Sequence, residues 1–335
     1  MLEIHQTFES GEEGEGPGVG VTRNPNPPTY TTYLAYKTYR NKHSWSYPLP
    51  LVIQIDGSYG EGGGQIIRTA VSLAAITGQP VEVNNVRANR SKPGLQPQHL
   101  AAVNAAADIC AAQLKGAEVG STSFQFYPTD DVQGGDYLFE IGTAGSAPLV
   151  AQTVIIPLAL TGRPCTVVVT GGTHNPMAPS SDYLEHVYAV AMREMGISMS
   201  VTSPRAGFYP KGGGAIEIEL TGSEKLFPIQ RIDRGAQRRL EAIVTTSRLP
   251  DSLFNRARKV LEERLPGVTV RYEQKESNGP GAAIVIIADH AGGQAVDDPV
   301  GGEEDEAGVR HGGQGHHHVI LGNRSRFVPQ HLSES

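Results

Sequence analysis

The residues best suited to chemistry lie in a glycine-rich segment, Asp56 to Arg68, which reads DGSYGEGGGQIIR. An apolar run precedes it and an apolar, helix-periodic run follows it, so backbone N–H groups and a helix N-terminus can face an anion there. Glu61 is a candidate ligand for a divalent ion, and Arg68 is a candidate phosphate contact. A solvated glutamate and a surface arginine are the alternatives. The spacing is neither GxGxxG nor GxxxxGK[ST], so neither a dinucleotide-binding fold nor a P-loop is supported.

A second polar segment, VRANRSKPGLQPQHL, begins at the end of the next predicted strand. It places Arg87, Arg90 and Lys92 within six positions and puts Gln98 and His99 at the start of a predicted helix. Three cations beside a helix N-terminus suit a polyphosphate or an RNA end. A solvated basic cluster is the alternative interpretation, and the neighbouring glycine-rich loop favours the anion site.

Single polar residues in other segments are further candidates. Gln152 interrupts an apolar helix, so its burial requires a hydrogen-bond partner, either a nucleotide or a backbone group. His174, in GGTHNPMAPSSDY, could be a ligand or a base, but a turn histidine bonded to the backbone is the preferred interpretation. Asp182 suits a helix N-terminus or an active acid equally. The run from His316 to His318 lacks the spacing of a structural zinc site and is interpreted as part of a flexible tail.

Apolar periodicity predicts an α+β fold around these segments. The predicted strands cover 51–56, 80–86, 121–128, 136–142 and 165–172, and the predicted helices cover 66–78, 96–114, 146–160 and 181–196. Ser146 is the predicted N-cap of the third helix. A second module is predicted to contain a helix over 252–267 and strands over 268–274 and 282–289.

The change in composition along the chain divides it into four parts. Residues 1–50 form an irregular N-terminal extension, 51–220 a large domain of similar successive units, and 221–289 a small insert that lacks glycine-rich loops. Residues 290–335 form a divergent or disordered tail in place of the end of the large domain. We expect the insert to fold separately and to take no part in a nucleotide pocket.

Composition excludes several functional classes. The chain has 335 residues and a formal charge of −7, so it has no global basic field for a long duplex, and any nucleic acid contact must be local. Its 2 cysteines are too few for a disulfide framework. The longest apolar stretch, Ala147 to Leu160, is shorter than the roughly 20 residues of a membrane span. We expect no membrane association and a cytoplasmic location, or a nuclear one in a eukaryote.

Five segments in register resemble successive signatures of the RNA 3'-terminal phosphate cyclase family: DGSYGEGGGQIIR, RANRSKPGLQPQHL, GTAGSAPLVAQ, GGTHNPMAPSSDY and GFYPKGGG. The resemblance covers residues 51 to about 289. It implies three pseudo-repeated units, each a four-stranded sheet with two helices, and a small inserted α+β domain. The C-terminal part of the third unit is expected to be truncated.

The resemblance implies an ATP-dependent ligase in RNA processing. ATP would adenylate a histidine, AMP would pass to a terminal RNA phosphate, and the neighbouring 2'-hydroxyl would displace AMP to leave a 2',3'-cyclic phosphate. The cofactors implied are ATP and a divalent metal, Mg or Mn; the partners are RNA 3' ends, with no stable protein partner. The matching positions are Arg68, Arg87, Arg90, Gln98 and Gln152 for the nucleotide, and Glu61 for the metal.

The C-terminal region departs from the family pattern. After GVRHGG at 308–313 no match was found to the segment that holds the family's nucleophilic histidine. We therefore assign no nucleophile and expect the chain as written to form no stable AMP adduct. The alternative is a catalytically inactive, cyclase-like RNA-processing or ribosome-assembly factor, but the loop Gly60 to Gln65 favours the enzymes. A small-molecule transferase built from similar repeats would require the five motifs to be coincidental.

Overall fold

A computed structural model describes residues 52–176, 178–223, 226–230 and 235–290, together with the backbone of Gln294–Ala295 and His317–Ile320. The predicted N-terminal extension and most of the predicted tail lie outside these residues. Across the described ranges, no helix combines the length and the apolar character that a membrane span needs.

The first α+β unit contains a four-stranded sheet and two helices. Its elements are β1 (Ile53–Asp56), α1 (Gly64–Thr77), β2 (Val81–Asn84), α2 (Pro97–Asp108), β3 (Gln113–Lys115) and β4 (Phe124–Tyr127). The strand order is β1-β2-β4-β3, with β1 and β2 parallel and the other pairs antiparallel. The inward-facing strand residues Val83 and Phe126 share a core with Val71 and Ala74 of α1. This packing fixes the start of α1 at the end of β1.

The second unit repeats this topology. Its elements are β5 (Asp136–Glu140), α3 (Ala147–Ala159), β6 (Pro164–Gly171), α4 (Ser181–Tyr183), a π-helical stretch (Leu184–Tyr188), α5 (Ala189–Glu194), β7 (Ser198–Arg205) and β8 (Gly214–Thr221). The order β5-β6-β8-β7 again has one parallel pair followed by two antiparallel pairs. The helix α3 is apolar on most of its surface, and its core includes Ala105 and Ile109 of α2. The two units therefore share one hydrophobic core.

A third sheet follows in the chain. Its elements are β10 (Gln237–Ser247), α6 (Asp251–Arg264), β11 (Thr269–Gln274) and β12 (Gly281–His290), and a short two-stranded pair joins β9 (Ile229–Gln230) to β13 (Gln294–Ala295). The strand β10 runs parallel to β11 and antiparallel to β12. One further strand, β14 (His317–Ile320), pairs antiparallel with β12. The backbone of β14 thus adds an edge strand to this sheet, where we expected a tail without regular structure.

The third sheet contacts the second unit through a small apolar cluster. Phe208 packs with Ala206 and Ala283, and the Ala206 N–H donates to the Glu276 carbonyl over 2.9 Å. The insert therefore has a defined contact with the loop that precedes β8, and this contact brings its 275–283 segment close to the second unit.

The mixed α+β class is confirmed, while the end of the second helix and the strand β10 differ from the sequence predictions. The helix predicted over 96–114 ends at Asp108, because Ala111 adopts a left-handed φ of 48° and Gln113–Lys115 then pairs as a strand. The strand β10 was not predicted, since its first half is charged and exposed. The described residues contain two units of the shared topology; the third unit and the truncated end stay predictions.

Candidate functional site

The glycine-rich loop ends at an uncapped helix. Gly60 and Gly62 have left-handed φ values of 61° and 55°, which glycine adopts without the strain of a Cβ. Gly63 is the N-cap of α1 and supplies no side chain, so no side-chain hydrogen bond covers the first N–H groups of the helix. These N–H groups and the helix dipole make the start of α1 a site for an anion.

Two arginines flank this helix start. A Cβ built on Gly63 would lie 3.0 Å from a terminal nitrogen of Arg90, and one built on Gly64 would lie 3.1 Å from a terminal nitrogen of Arg68. Arg68 also donates to Gln65 Oε1 over 2.7 Å, which fixes its guanidinium against the first turn. Burial lowers the pKa of Arg68, yet an arginine stays charged at neutral pH. Two fixed positive charges therefore accompany the free N–H groups.

Glu61 is the acid of this loop. Its carboxylate lies 3.1 Å from Arg90, and the two side chains are 92% and 41% exposed. Among the described residues, no group of three or more His, Cys, Asp or Glu side chains could hold a metal ion. A magnesium-like ion at Glu61 would take most of its ligands from phosphate oxygens and water, which is the usual coordination of Mg²⁺ beside a nucleotide.

Arg87 shapes the neighbouring loop. One terminal nitrogen donates to the carbonyls of Lys92 and Gly94 over 2.5 and 3.1 Å, and its backbone is left-handed with a φ of 55°. Burial, and then the charge of Arg90, lowers its pKa. Arg87 therefore adds positive charge near Arg90 while it holds the loop in place.

His99 completes the cluster and was given no role from the sequence. The Gln96 N–H donates to His99 Nδ1 over 3.1 Å, which leaves the proton of the neutral ring on Nε2. That nitrogen would lie 2.5 Å from a Cβ on Gly64, so it faces the start of α1. Burial, assisted by the charges of Arg87 and Arg68, lowers the pKa of His99 to about 4. His99 is the third residue of α2 and is close to the segments that carry Arg68 and Arg87. A histidine at this position is the signal that could have identified it as a site residue.

Gln98 joins this cluster to the second unit. Its Oε1 accepts from the Ser146 N–H over 2.9 Å, and a Cβ on Gly145 would lie 2.8 Å from its own Cβ. Gln152 is half-buried on α3, and no described contact places it at the start of α1. Of the six predicted site residues, the structure brings together Glu61, Arg68, Arg87, Arg90 and Gln98.

A second polar cluster is fully buried. His174 Nε2 lies 2.9 Å from Asp182 Oδ2, and His174 Nδ1 lies 2.7 Å from Thr173 Oγ1. Thr173 Oγ1 in turn accepts from the Gly207 N–H over 2.9 Å. A neutral ring protonated on Nε2 satisfies this whole chain, because the threonine hydroxyl then donates to Nδ1. Burial alone would raise the pKa of Asp182, but the hydrogen bond from His174 lowers it to about 2.

This geometry corrects the interpretation of His174. Its ring bonds to the side chains of Thr173 and Asp182, whereas we expected a bond to the backbone. Asp182 lies in the first turn of α4, one of its two predicted positions, and it is only 3% exposed. Both side chains hold loops together and neither faces solvent.

The mixed α+β fold and the uncapped helix start between two arginines are features of an anion-binding protein. Comparison with known proteins identifies the family. The model of the family described as RNA 3'-terminal phosphate cyclase matches residues 59–325. A relative of that name from Nostoc punctiforme is 41% identical over 249 residues, which cover 71% of this chain and 72% of the relative. The chain belongs to the RNA 3'-terminal phosphate cyclase family, which is a family of enzymes.

Two further relatives of the same name support this assignment. The protein from Koribacter versatilis is 45% identical over 238 residues, with 70% of this chain and 67% of the relative covered. The archaeal protein from Archaeoglobus fulgidus is 41% identical over 250 residues, with 73% and 75% covered. The family match runs to residue 325, beyond the motifs that we traced to residue 313.

Proposed function

We propose that the family activity of this protein is the ATP-dependent conversion of an RNA 3'-terminal phosphate to a 2',3'-cyclic phosphate, through enzyme-AMP and RNA-adenylate intermediates. No nucleophile is assigned in the chain as written, so formation of the enzyme-AMP adduct is the step that the experiments below must test. The observation that carries the proposal is the uncapped start of α1, with Arg68 and Arg90 beside Gly63 and Gly64. Membership of the cyclase family supports the choice of reaction.

The helix start fits the polyphosphate of ATP. A side chain at Gly64 would collide with His99, and one at Gly63 would crowd the end of Arg90, so glycine at both positions leaves the backbone open to a phosphate. Arg68 and Arg90 would each donate charged hydrogen bonds to phosphate oxygens. The neutral His99 would donate from Nε2, and Glu61 would hold a divalent ion, Mg or Mn, which offsets phosphate charge. Gln152 stays a predicted nucleotide contact.

The RNA 3' end would enter the same region. Cyclisation needs the terminal phosphate and its neighbouring 2'-hydroxyl to be held still, because positioning supplies most of the rate in such an intramolecular displacement. The loop held by Arg87 carries the exposed Lys92, so an RNA phosphate can bind there without displacing a buried group.

The direct test is cyclisation of a short RNA that carries a 3'-phosphate, incubated with ATP and Mg²⁺ or Mn²⁺. The proposal predicts a phosphatase-resistant cyclic end in the wild type and its loss in Arg68→Met. The matched control is Arg258→Met, on the exposed face of α6, which should keep full activity. Unchanged activity in Arg68→Met would contradict the placement of ATP at α1.

The inactive, cyclase-like factor is the second candidate. The observation that favours it is that His99 and His174, the described histidines nearest the glycine-rich loops, are buried and already hydrogen-bonded. ATP labelled at the α-phosphate separates the two candidates. An acid-labile labelled band mapped to residues 311–331 would identify a nucleophile and support the enzyme. Retained ATP binding with no labelled band and no cyclic product would support the inactive factor. The absence of the band would also agree with the expectation that the chain as written forms no stable AMP adduct.

A further inference from the structure

The loop between β7 and β8 presents an exposed aromatic ring and a cation side by side. Tyr209 is 73% exposed at its tip, and Lys211 is exposed two residues later. Lys211 forms no ion pair with an acid elsewhere in the described part of the chain. A second exposed tyrosine, Tyr59, is 61% exposed in the glycine-rich loop before α1. An exposed tyrosine ring offers a flat face on which a nucleic acid base can stack.

The Tyr209 loop is held firmly. The Gly212 N–H donates to the Phe208 carbonyl over 2.7 Å, and the Gly207 N–H donates to Thr173 Oγ1 over 2.9 Å. Phe208 is buried, and its ring centroid lies 5.4 Å from that of His174. Tyr209 is therefore exposed on a turn that is already ordered. Little conformational entropy of the loop would be lost when a base stacks on the ring.

The third sheet supports the other side of this loop. A Cβ on Gly279 would lie 3.0 Å from Lys211 Cγ, so the stem of Lys211 lies against the insert and its ammonium extends outward. Arg205 donates to Asn278 Oδ1 over 3.1 Å and adds a second exposed cation. Arg205, Tyr209 and Lys211 are thus exposed side chains of this loop region, and the buried His174 contacts the same loop through Phe208.

One turn connects this surface to the α1 site. A Cβ on Gly212 would lie 2.8 Å from the Thr143 carbonyl and from the Ala144 Cα. The next residues of the same turn, Gly145 and Ser146, contact Gln98. The Tyr209 loop and the cluster around α1 therefore both border the turn formed by residues 143–146.

We propose that Tyr209 and Lys211 bind the RNA strand upstream of its 3' end, with Tyr209 stacked on a base and Lys211 against a phosphate. The inference rests on the proposed function and adds positioning residues to it. An exposed ring beside exposed cations is the combination that holds single strands without sequence preference, since every base has a π-face and every nucleotide a phosphate. Tyr59 would serve as a second ring nearer the reacting end.

Binding of a 5'-fluorescein RNA of about ten nucleotides, measured by anisotropy over a series of salt concentrations, tests this. We expect Tyr209→Ala to weaken binding about tenfold with an unchanged salt slope, and Tyr209→Phe to bind as the wild type does. Lys211→Ala should reduce the slope of log affinity against log salt by about 0.7, since one phosphate contact is lost. Leu138→Ala, at an exposed position on β5, is the control. This split between stacking and salt dependence would not follow from a general loss of structure.

The outcomes separate this inference from the function on which it rests. If the wild type binds RNA and both Tyr209→Ala and Lys211→Ala bind equally well, the inference is overturned while the proposed function stands. If Tyr209→Phe is as weak as Tyr209→Ala, stacking is excluded. If the wild type binds ATP but no RNA, the proposed reaction and this inference both fail.

Discussion

The helices α1 and α3 occupy equivalent places in two units of the same topology, and their N-termini differ. Gly63 offers α1 no side-chain cap. Ser146 caps α3 by accepting from the Leu149 N–H over 3.4 Å, and its own N–H donates to Gln98. The first helix leaves N–H groups for an external acceptor, and the second satisfies its groups with protein atoms. The anion site therefore arises from glycine and arginine at one helix start, because the shared topology alone does not create it.

The loops after the second strand of each unit show the same contrast. In the first unit the loop carries Arg87 and Arg90, with Arg90 exposed beside Glu61. In the second unit the loop carries His174, whose ring is buried against Asp182. The polar residues of the first unit lie at the surface, where the proposed ligands would bind, whereas those of the second unit hold its loops together.

The largest expected effect comes from His174→Ala in the buried loop. The substitution leaves the Asp182 carboxylate without its partner in a site that excludes water. We expect the free energy of unfolding to fall by about 3 to 5 kcal/mol, because removing one member of a buried pair strands the other charge. Urea denaturation followed by circular dichroism measures this. Arg258→Ala, which breaks an exposed pair with Glu262, is the control and should cost less than about 1 kcal/mol. A similar small loss in both variants would show that the buried pair is not structural.

Arg68→Met in the open site should reduce the affinity for ATP while the fold persists. The guanidinium faces the helix start, and a charged hydrogen bond contributes about 1.5 to 3 kcal/mol, or roughly ten- to a hundredfold in affinity. Isothermal titration calorimetry measures the dissociation constant. Arg193→Met, which removes a guanidinium that donates to the Met199 carbonyl in the second unit, controls for loss of charge alone. Equal ATP affinity in wild type and Arg68→Met would break the contrast between the two units.

The free energy of unfolding should depend on pH through His99, which lies beside the start of α1. Its pKa is about 4 in the folded protein and near 6.5 in the unfolded chain, so the unfolded state binds more protons between these values. Its contribution is fully present above pH 6.5 and is lost as the pH falls through 4. Over this window the free energy of unfolding should fall by at most about 1.4 kcal/mol per pH unit on this account. Urea titrations between pH 4.5 and 7 should show a shallower slope in His99→Gln. Identical slopes would exclude a buried neutral ring at α1.

The smallest effect on stability is expected for Arg90→Ala. Its pair with Glu61 is exposed, and such pairs contribute between zero and about 1 kcal/mol. Thermal melting should therefore place the variant close to the wild type, while ATP affinity still falls because Arg90 lies beside Gly63. A large loss of stability would mean that the arginine cluster is structural, as the buried His174 and Asp182 pair is in the second unit.

Local sequence signals predicted most of the fold. Gly78 ends α1 in a left-handed conformation with a φ of 67°, and Ser146 caps α3. Both follow from short-range rules that the sequence displays directly. The strand β10 escaped prediction, because its outer half is charged and only its partners β11 and β12 reveal it as a central strand.

The candidate site was predictable as a set of residues, and less so as an arrangement. Motifs placed Glu61 and Arg90 in two loops and Arg68 at the start of the helix between them, and these residues meet at α1. The position of Gln98 between the two units depends on long-range packing against Ser146. The His174 and Asp182 pair also depends on tertiary structure, since the two residues become neighbours only when the loop between them folds back on itself.

Backbone amide NMR during titration with ATP tests the contrast between α1 and α3 most directly. The amide signals of residues 63–65 should shift strongly and saturate, because their N–H groups would bind phosphate. The signals of Ser146, Ala147 and Leu149, whose N–H groups already donate to Gln98, Gly172 and Ser146, should move little. Shifts of equal size at both helix starts, or none at residues 63–65 at saturating ATP, would contradict an anion site at the uncapped start of α1.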